Sequence, residues 1–150
     1  MNYDFQIRVT GVLVENNSIL LVQQKLSSSR TWSLPGGRLE QGETLQEGLE
    51  REFWEETGLK VKVQELLYLC DVKSSAHKVV HVTLLVSRLG GTITLPTNEK
   101  DENPISDVRF VPVSSLTDYG FSPVFQSLVL EKFPNKGNYM GDKENIGLGI

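Results

Sequence analysis

Seven glutamates crowd a short segment of the chain, residues 35–59, in a pattern that could hold a cation. They are Glu40, Glu43, Glu47, Glu50, Glu52, Glu55 and Glu56. On a helix, Glu52, Glu55 and Glu56 would share one face, here called the acidic stripe, because they are three and four residues apart. Each like-charged pair at that spacing destabilises a helix by roughly 0.2–0.5 kcal/mol. Something should therefore offset the repulsion.

Three convergent carboxylates suit a hard divalent cation. Mg²⁺ takes oxygen ligands in octahedral geometry and combines carboxylates with waters and substrate phosphates, and Mn²⁺ is expected to substitute for it. Gly48 lies one turn earlier on the same stripe, where the missing side chain would leave room for backbone or ligand. A solvated acidic face is the alternative interpretation of a glutamate-rich helix.

The helix that would carry the acidic stripe has clear ends in the sequence. Thr44, followed three residues later by Glu47, predicts a capping box at its start. Gly58 suits the left-handed position after the last helical residue. An adjoining apolar stripe would pack on a sheet and consists of Leu45, Leu49 and Phe53. The acidic stripe would then border a crevice.

The rest of the chain is mostly strand-like. The predicted elements, in order, are a hairpin of strands 7–14 and 18–24, long strands 59–72 and 77–89, a short strand 92–95, a strand from residue 107, and a second helix capped by Ser122. No internal repeat interrupts this order. The pattern indicates one domain in which a sheet meets two helices.

Composition also predicts a single globular domain over residues 1–150. A chain of 150 residues, 39% apolar and 23% charged, can bury a core without disulfides. Its net charge of −4 gives no general attraction to nucleic acid, which is not expected as a partner. No membrane span or signal peptide is predicted, and the lone Cys70 sits in an apolar run. We therefore expect a cytoplasmic location.

A longer motif surrounds the glutamates. From Gly37 the chain has Gly, five residues, Glu43, seven residues, and then the run Arg51-Glu52-Phe53-Trp54-Glu55-Glu56-Thr57-Gly58-Leu59. This segment resembles the motif of the Nudix hydrolases, G-x5-E-x7-R-E-U-x-E-E-x-G-U with U a bulky apolar residue, at every fixed position. So many specified positions argue against a chance match. The resemblance implies an α/β (α+β) fold in which a mixed β-sheet is sandwiched between helices.

The resemblance also implies a reaction and a set of site residues. The reaction is metal-dependent hydrolysis of a pyrophosphate bond in a nucleoside diphosphate derivative, by attack of water at phosphorus. The acidic stripe would supply both the metal ligands and the catalytic carboxylates, with the carbonyl of Gly36 as a further ligand. Arg51 would orient the acidic cluster. A further catalytic glutamate is expected after the motif, where Glu102 is preferred to Glu99 because it lies nearer the following strand.

The substrate is expected to be a small nucleotide, with nucleoside triphosphates and nucleotide sugars as the leading classes. Arg38 is a candidate for phosphate binding, and Trp32 and Tyr139 are candidates for stacking on a base; a loop cation and core aromatics are the alternatives. The apolar tail, residues 134–150, is predicted to pack back on the domain and over the crevice. A non-catalytic nucleotide-binding or RNA-end-binding regulator stays open, and so does a homodimer.

Overall fold

The computed structural model describes residues 5–24, 31–73, 75–96 and 105–149. Within these ranges the strands are β1 (Phe5–Val12), β2 (Val14–Glu15), β3 (Ser18–Gln24), β4 (Trp32–Ser33), β5 (Gly36–Arg38), β6 (Leu59–Asp71), β7 (Lys78–Gly91), β8 (Ile105–Pro112) and β9 (Asn138–Asp142). The helices are α1 (Leu45–Thr57), α2 (Pro123–Leu130) and two 3₁₀ helices, Val113–Tyr119 and Lys143–Ile146.

Two sheets form the centre of the molecule. The larger sheet has the strand order β5-β1-β7-β6-β9. It is mixed, because β1 runs parallel to β7 and β6 runs parallel to β9, whereas the other neighbours are antiparallel. The second sheet joins β2, β3 and β4 with β8, which pairs with the other side of β3. No helix in the described ranges is long and apolar enough to cross a membrane.

Successive residues of the central strands face two separate cores. Leu20 and Leu21 on β3 are both fully buried, but Leu20 packs in the core under α1 and Leu21 in the core under α2. This alternation follows from the two-residue period of a strand. Leu49 and Phe53 of α1 fill the first core, and Phe125 of α2 fills the second. The predicted mixed sheet between helices is therefore confirmed.

The predicted hairpin of strands 7–14 and 18–24 is wrong. β1 pairs with β5 and β7 rather than with β3, and only the two residues of β2 form a hairpin with β3. Asn16 and Asn17 have φ of 50° and 61°, which suits a two-residue turn. Val9 and Val12 of β1 lie in different cores. A strand that is apolar on both faces gains more burial inside the larger sheet than in a hairpin.

The predicted short strand at 92–95 is also wrong. β7 continues to Gly91, whose φ of 87° turns the chain across the end of α1. A Cβ on Gly91 would lie 2.4 Å from the carbonyl oxygen of Gly58, so only glycine allows this approach. The N–H of Thr94 then donates to the carbonyl of Thr57 at 2.9 Å. The segment caps the helix end instead of joining a sheet.

The C-terminal segment returns to the larger sheet at its far edge. β9 pairs in parallel with β6, and the hydroxyl of Tyr68 on β6 donates to the carbonyl of Pro134 at 2.7 Å. Ile146 and Leu148 are buried in the core under α2. Ser122 caps that helix as predicted, because its hydroxyl accepts the N–H of Val124. The assignment of residues 1–150 to one domain stays a prediction.

Candidate active site

Helix α1 begins and ends where the sequence predicts. The hydroxyl of Thr44 accepts the N–H of Glu47, and the carboxylate of Glu47 accepts the N–H of Thr44, both at 3.0 Å. Gly58 ends the helix with φ 78° and donates its N–H to the carbonyl of Trp54. The predicted capping box and left-handed glycine are confirmed. These caps fix the direction in which the acidic stripe faces.

Gly48 does not leave the open space that the sequence suggests. A Cβ at this position would lie 2.5 Å from Cδ1 of Leu39 and 3.2 Å from a carboxylate oxygen of Glu43. The side chains that follow β5 therefore lie directly over the helix backbone. The glycine serves close packing between β5 and α1 rather than access for a ligand.

Arg51 joins four carboxylates along the helix and the loop before it. Its Nε donates to Glu43 Oε2 at 2.6 Å, and its Nη1 donates to Glu52 Oε1 at 3.1 Å and to Glu55 Oε2 at 3.2 Å. Nη1 also lies 3.7 Å from Glu40 Oε1. The hydrogen bond to Glu43 raises the pKa of Arg51 and lowers that of Glu43. The guanidinium therefore sets the spacing of the carboxylates.

Glu56 is the most enclosed of the three carboxylates in the acidic stripe. The N–H of Gly36 donates to its Oε1 at 2.7 Å. Burial raises the pKa of Glu56 to about 8, although the hydrogen bond from Gly36 acts in the opposite direction and the charge of Glu52 acts in the same direction. Burial also raises the pKa of Glu52, against the nearby Arg51. A negative charge on Glu52 or Glu56 is therefore unfavourable unless a cation neutralises it.

Two glycines bring β5 against the acidic stripe. A Cβ on Gly37 would lie 2.7 Å from Oε1 of Glu52, and a Cβ on Gly36 would lie 2.0 Å from the carbonyl oxygen of Val9. Neither position accepts a side chain without moving its neighbours. The close approach lets backbone groups of β5 and carboxylates of α1 line the same space.

The donor set fits a hard divalent cation. All the side-chain donors are carboxylate oxygens, which Mg²⁺ and Mn²⁺ prefer. Among residues that the structure describes, no three acidic, histidine or cysteine side chains already stand at metal-binding distances. Arg51 and the N–H of Gly36 instead hold the carboxylates. A cation would have to replace part of these contacts, and the ligand role of the Gly36 carbonyl stays a prediction.

The acidic stripe forms one wall of a cavity of about 1180 Å³, here called the glutamate cavity. Arg8 of β1 and both glycines of β5 line it beside the glutamates. The lining also includes the apolar side chains of Trp54, Leu95 and Pro96. Pro96 and Ile105, which line the cavity, flank the segment that contains Glu99 and Glu102. Both glutamates lie outside the described residues, so the preferred role of Glu102 stays a prediction.

The three predicted substrate-binding residues do not line the glutamate cavity. Arg38 lines a separate cavity of about 590 Å³ with Phe5. Trp32 packs edge to face on Tyr119, with ring centroids 5.2 Å apart. Tyr139 is 62% exposed on β9, at the opposite edge of the sheet from β5. The structure therefore groups none of the three with the acidic stripe, and their binding roles stay predictions.

The described part of the tail lines neither of these cavities, contrary to the prediction that the tail covers the crevice. The hydroxyl of Tyr139 donates to Asp71 on the neighbouring strand β6. Asp142 accepts the N–H of Lys73 at 2.8 Å. Both contacts hold the tail at the far edge of the sheet. Glycines and apolar residues in the tail suggested mobility and burial, but they carried no information about which edge it would join.

Sequence reasoning missed Arg8 and Trp54, which share the cavity with the glutamates. Arg8 had only a weak signal, because the polar residues Gln6, Arg8 and Thr10 alternate with apolar residues along β1. Trp54 occupies a variable position of the motif and is exposed, with Nζ of Lys60 5.5 Å from its ring centroid. An exposed tryptophan beside three carboxylates is a feature that helical spacing could have found.

Comparison with known proteins identifies the family. The profile of the NUDIX domain matches residues 5–130. An ADP-ribose pyrophosphatase of Methanocaldococcus jannaschii is 33% identical over 121 residues, which cover 75% of this chain and 72% of that protein. A MutT-like protein of Streptomyces ambofaciens is 47% identical over 60 residues, 40% of this chain, and the match spans only 38% of that relative.

Solved structures agree with the fold. A UDP-X diphosphatase superposes with a TM-score of 0.68 at 20% identity, covering 93% of this chain and 68% of the other. At that identity the likeness speaks for the fold alone. The domain match, by contrast, spans the capped helix, the arginine that joins the carboxylates and the glycines of β5. The chain therefore belongs to the Nudix hydrolase family.

Proposed function

We propose that the chain hydrolyses a pyrophosphate bond in a nucleoside diphosphate derivative, of the nucleoside triphosphate or nucleotide sugar type, by attack of water at phosphorus. The observation that carries this proposal is the acidic stripe on the wall of the glutamate cavity. One helix face presents three hard oxygen donors to a space large enough for a nucleotide. The relative named as an ADP-ribose pyrophosphatase supports the same type of bond.

Some of the site residues would hold a metal, and others would orient the reactants. Glu52, Glu55 and Glu56 would hold Mg²⁺, or Mn²⁺ in its place, with the carbonyl of Gly36. A bound divalent cation neutralises phosphate charge and polarises water. Arg51 would act as a positioning residue, because it already bonds Glu52 and Glu55 and so limits their movement. A loop glutamate, Glu102 before Glu99, would accept the proton of the attacking water.

Cys70 is given no part in the reaction. It is buried, and burial raises the pKa of its thiol to about 11, with the charge of Asp142 adding to the effect. A thiol in that state is a poor nucleophile and behaves as a small apolar side chain. A lone buried thiol also agrees with the cytoplasmic location that we propose. A homodimer remains a further prediction, which light scattering would test.

The test is a substrate screen with purified protein. Nucleoside triphosphates, ADP-ribose and UDP-sugars are incubated with Mg²⁺ or with EDTA in water enriched in ¹⁸O. We expect cleavage of a pyrophosphate bond only with the metal, and one ¹⁸O atom in one phosphorus-containing product. Tight nucleotide binding without cleavage would instead favour the non-catalytic regulator. Cleavage that continues in EDTA would contradict the proposed metal dependence.

A further inference from the structure

Arg8 differs from the other arginines that make ion pairs in this structure. Arg51, Arg88 and Arg109 each contact a carboxylate, on Glu43, Glu15 and Asp107 respectively. The guanidinium of Arg8 makes no hydrogen bond or ion pair within the ranges that the structure describes, although its charge acts on Glu52 and Glu56 and opposes the rise in their pKa. It is exposed, and it lines the glutamate cavity beside Glu52 and Glu56. Those two carboxylates are already engaged by Arg51 and by the backbone of Gly36.

Arg38, the neighbour of Arg8 on β5, adds electrostatic repulsion to the position of Arg8. Arg38 lies directly opposite it in the register between β1 and β5. Like charges directly opposite each other in a sheet destabilise the pair. Among the described residues, neither side chain has a carboxylate within ion-pair distance, and an anionic ligand would relieve the repulsion between the two arginines. Arginine suits phosphate in particular, because its planar fork donates two parallel hydrogen bonds to phosphate oxygens.

The walls of the glutamate cavity differ in chemistry. Arg8 supplies a cation on the β1 side, the acidic stripe supplies the metal-binding carboxylates, and Trp54, Leu95 and Pro96 supply an apolar surface. A nucleoside triphosphate offers matching parts, with a further phosphate beside the pyrophosphate that meets the metal and a planar base that can stack. A nucleotide sugar carries only the two phosphates that would meet the metal, and a neutral sugar would present hydroxyls to Arg8 in place of a third phosphate.

We propose that Arg8 binds a third phosphate of the substrate and that the cavity thereby selects nucleoside triphosphates over nucleotide sugars. This inference rests on the proposed function, since it assumes that the neighbouring glutamates hold the pyrophosphate through a metal. Arg8 is a specificity-determining residue in this scheme. It contributes to binding of the substrate rather than to the transfer of a proton or the breaking of the bond.

The test uses inorganic probes that carry no base or sugar. Calorimetry compares Mg²⁺-tripolyphosphate with Mg²⁺-pyrophosphate for the wild type, Arg8→Gln, Arg8→Lys and the control Lys62→Gln. Lys62 is an exposed cation on β6 that lines neither cavity, so the control removes the same charge elsewhere. We expect the wild type to prefer tripolyphosphate by roughly tenfold or more. Arg8→Gln should abolish the preference, Arg8→Lys should keep part of it, and Lys62→Gln should keep all of it.

Kinetics and metal binding separate this role from a structural one. For whichever triphosphate is cleaved, Arg8→Gln should raise KM roughly tenfold and leave kcat within about twofold, without lowering the melting temperature. If Arg8 served only to balance the charge of Glu52 and Glu56, the variant would change Mg²⁺ affinity and leave the preference for tripolyphosphate intact. That result would overturn the proposal, as would the absence of any preference in the wild type.

The outcomes also separate this inference from the proposed function. The protein could prefer tripolyphosphate in a way that depends on Arg8 and yet cleave no nucleotide. That result would support the proposed anion site and contradict the proposed hydrolysis. The opposite result is that Arg8→Gln cleaves nucleotide sugars at wild-type rates with metal, and that the wild type shows no preference between the two inorganic probes. That result would support the proposed hydrolysis and contradict the proposed anion site.

Discussion

The two edges of the larger sheet are built in different ways. At the β5 edge, the hydrogen bonds that hold the acidic stripe and Arg51 in the described structure join residues close in sequence; the longest of them, from Gly36 to Glu56, spans 20 positions. At the β9 edge, the hydrogen bonds from Tyr68 to Pro134 and from Lys73 to Asp142 span 66 and 69 positions. The first edge carries the acidic stripe and the glutamate cavity, and the second edge closes the core under α2.

Because of this difference, we expect that mutations can affect the two edges separately. Changes at the β9 edge should lower the stability of the fold and leave substrate affinity unchanged, because the described tail lines neither cavity. Changes at the β5 edge should lower activity and have small effects on stability. The following variants test that separation, in order of expected free-energy effect.

The largest effect on stability is expected from Ile146→Ala. Ile146 is fully buried in the core under α2, together with Phe125 and Phe133. Removing its side chain should lower the free energy of unfolding by about 2–5 kcal/mol, because transfer and cavity terms add. Leu130→Ala, at a position 60% exposed, should change it by less than about 0.5 kcal/mol. Urea denaturation measures both variants.

The same Ile146→Ala variant also tests the prediction from the sequence that the tail packs over the crevice. KM for the best substrate should stay at the wild-type value, measured at a temperature where the variant is folded. A higher KM or an altered substrate ranking with full stability would show that the tail acts on the substrate. The proposed separation of the two edges would then fail.

Gly37→Ala should disturb the metal site at the β5 edge with little loss of stability. The added Cβ would lie 2.7 Å from Oε1 of Glu52 and must displace that carboxylate. We expect activity at subsaturating Mg²⁺ to fall roughly a hundredfold, because metal ligands need accurate placement. Gly90→Ala is the matched control, since nothing lies within 4 Å of its added Cβ. Wild-type metal dependence in Gly37→Ala would argue against the assigned geometry.

A smaller effect concerns pH and His81, which lies between the two edges on β7. His81 is buried, with Nε2 3.2 Å from the hydroxyl of Thr10, and burial lowers its pKa to about 3, with the charges of Lys143 and Arg8 adding to the effect. An unfolded histidine has a pKa of about 6.5. Below that value the unfolded chain binds a proton that the folded chain resists, so stability should fall as pH drops from about 6.5 towards 3.

His81→Asn removes this titration. The difference in unfolding free energy between the wild type and His81→Asn should therefore shift in favour of the variant as pH falls from 7 to 5. That window lies above the range in which ordinary carboxyl groups titrate. A parallel pH dependence in the wild type and His81→Asn would contradict the assignment to His81.

The sequence predicted the helix at the β5 edge better than the strands at either edge, for a physical reason. Thr44, Glu47 and Gly58 act within one or two turns of the helix they cap, so their types and spacing are enough to predict it. The course of β1 could not be predicted in this way, because it is decided by burial on two faces against distant strands. Arg8 was missed for the same reason, since the strand that carries it reaches the glutamates only through that pairing.

The central claim is that the acidic stripe holds the metal for pyrophosphate hydrolysis. Its most direct test is kcat of Glu56→Gln at saturating Mg²⁺, with Glu50→Gln on the same helix as the control. The amide oxygen can still accept the N–H of Gly36, so the fold should keep its melting temperature. We expect kcat to fall about a thousandfold or more, since several kcal/mol of transition-state stabilisation depend on the metal. A wild-type kcat in Glu56→Gln would contradict the claim.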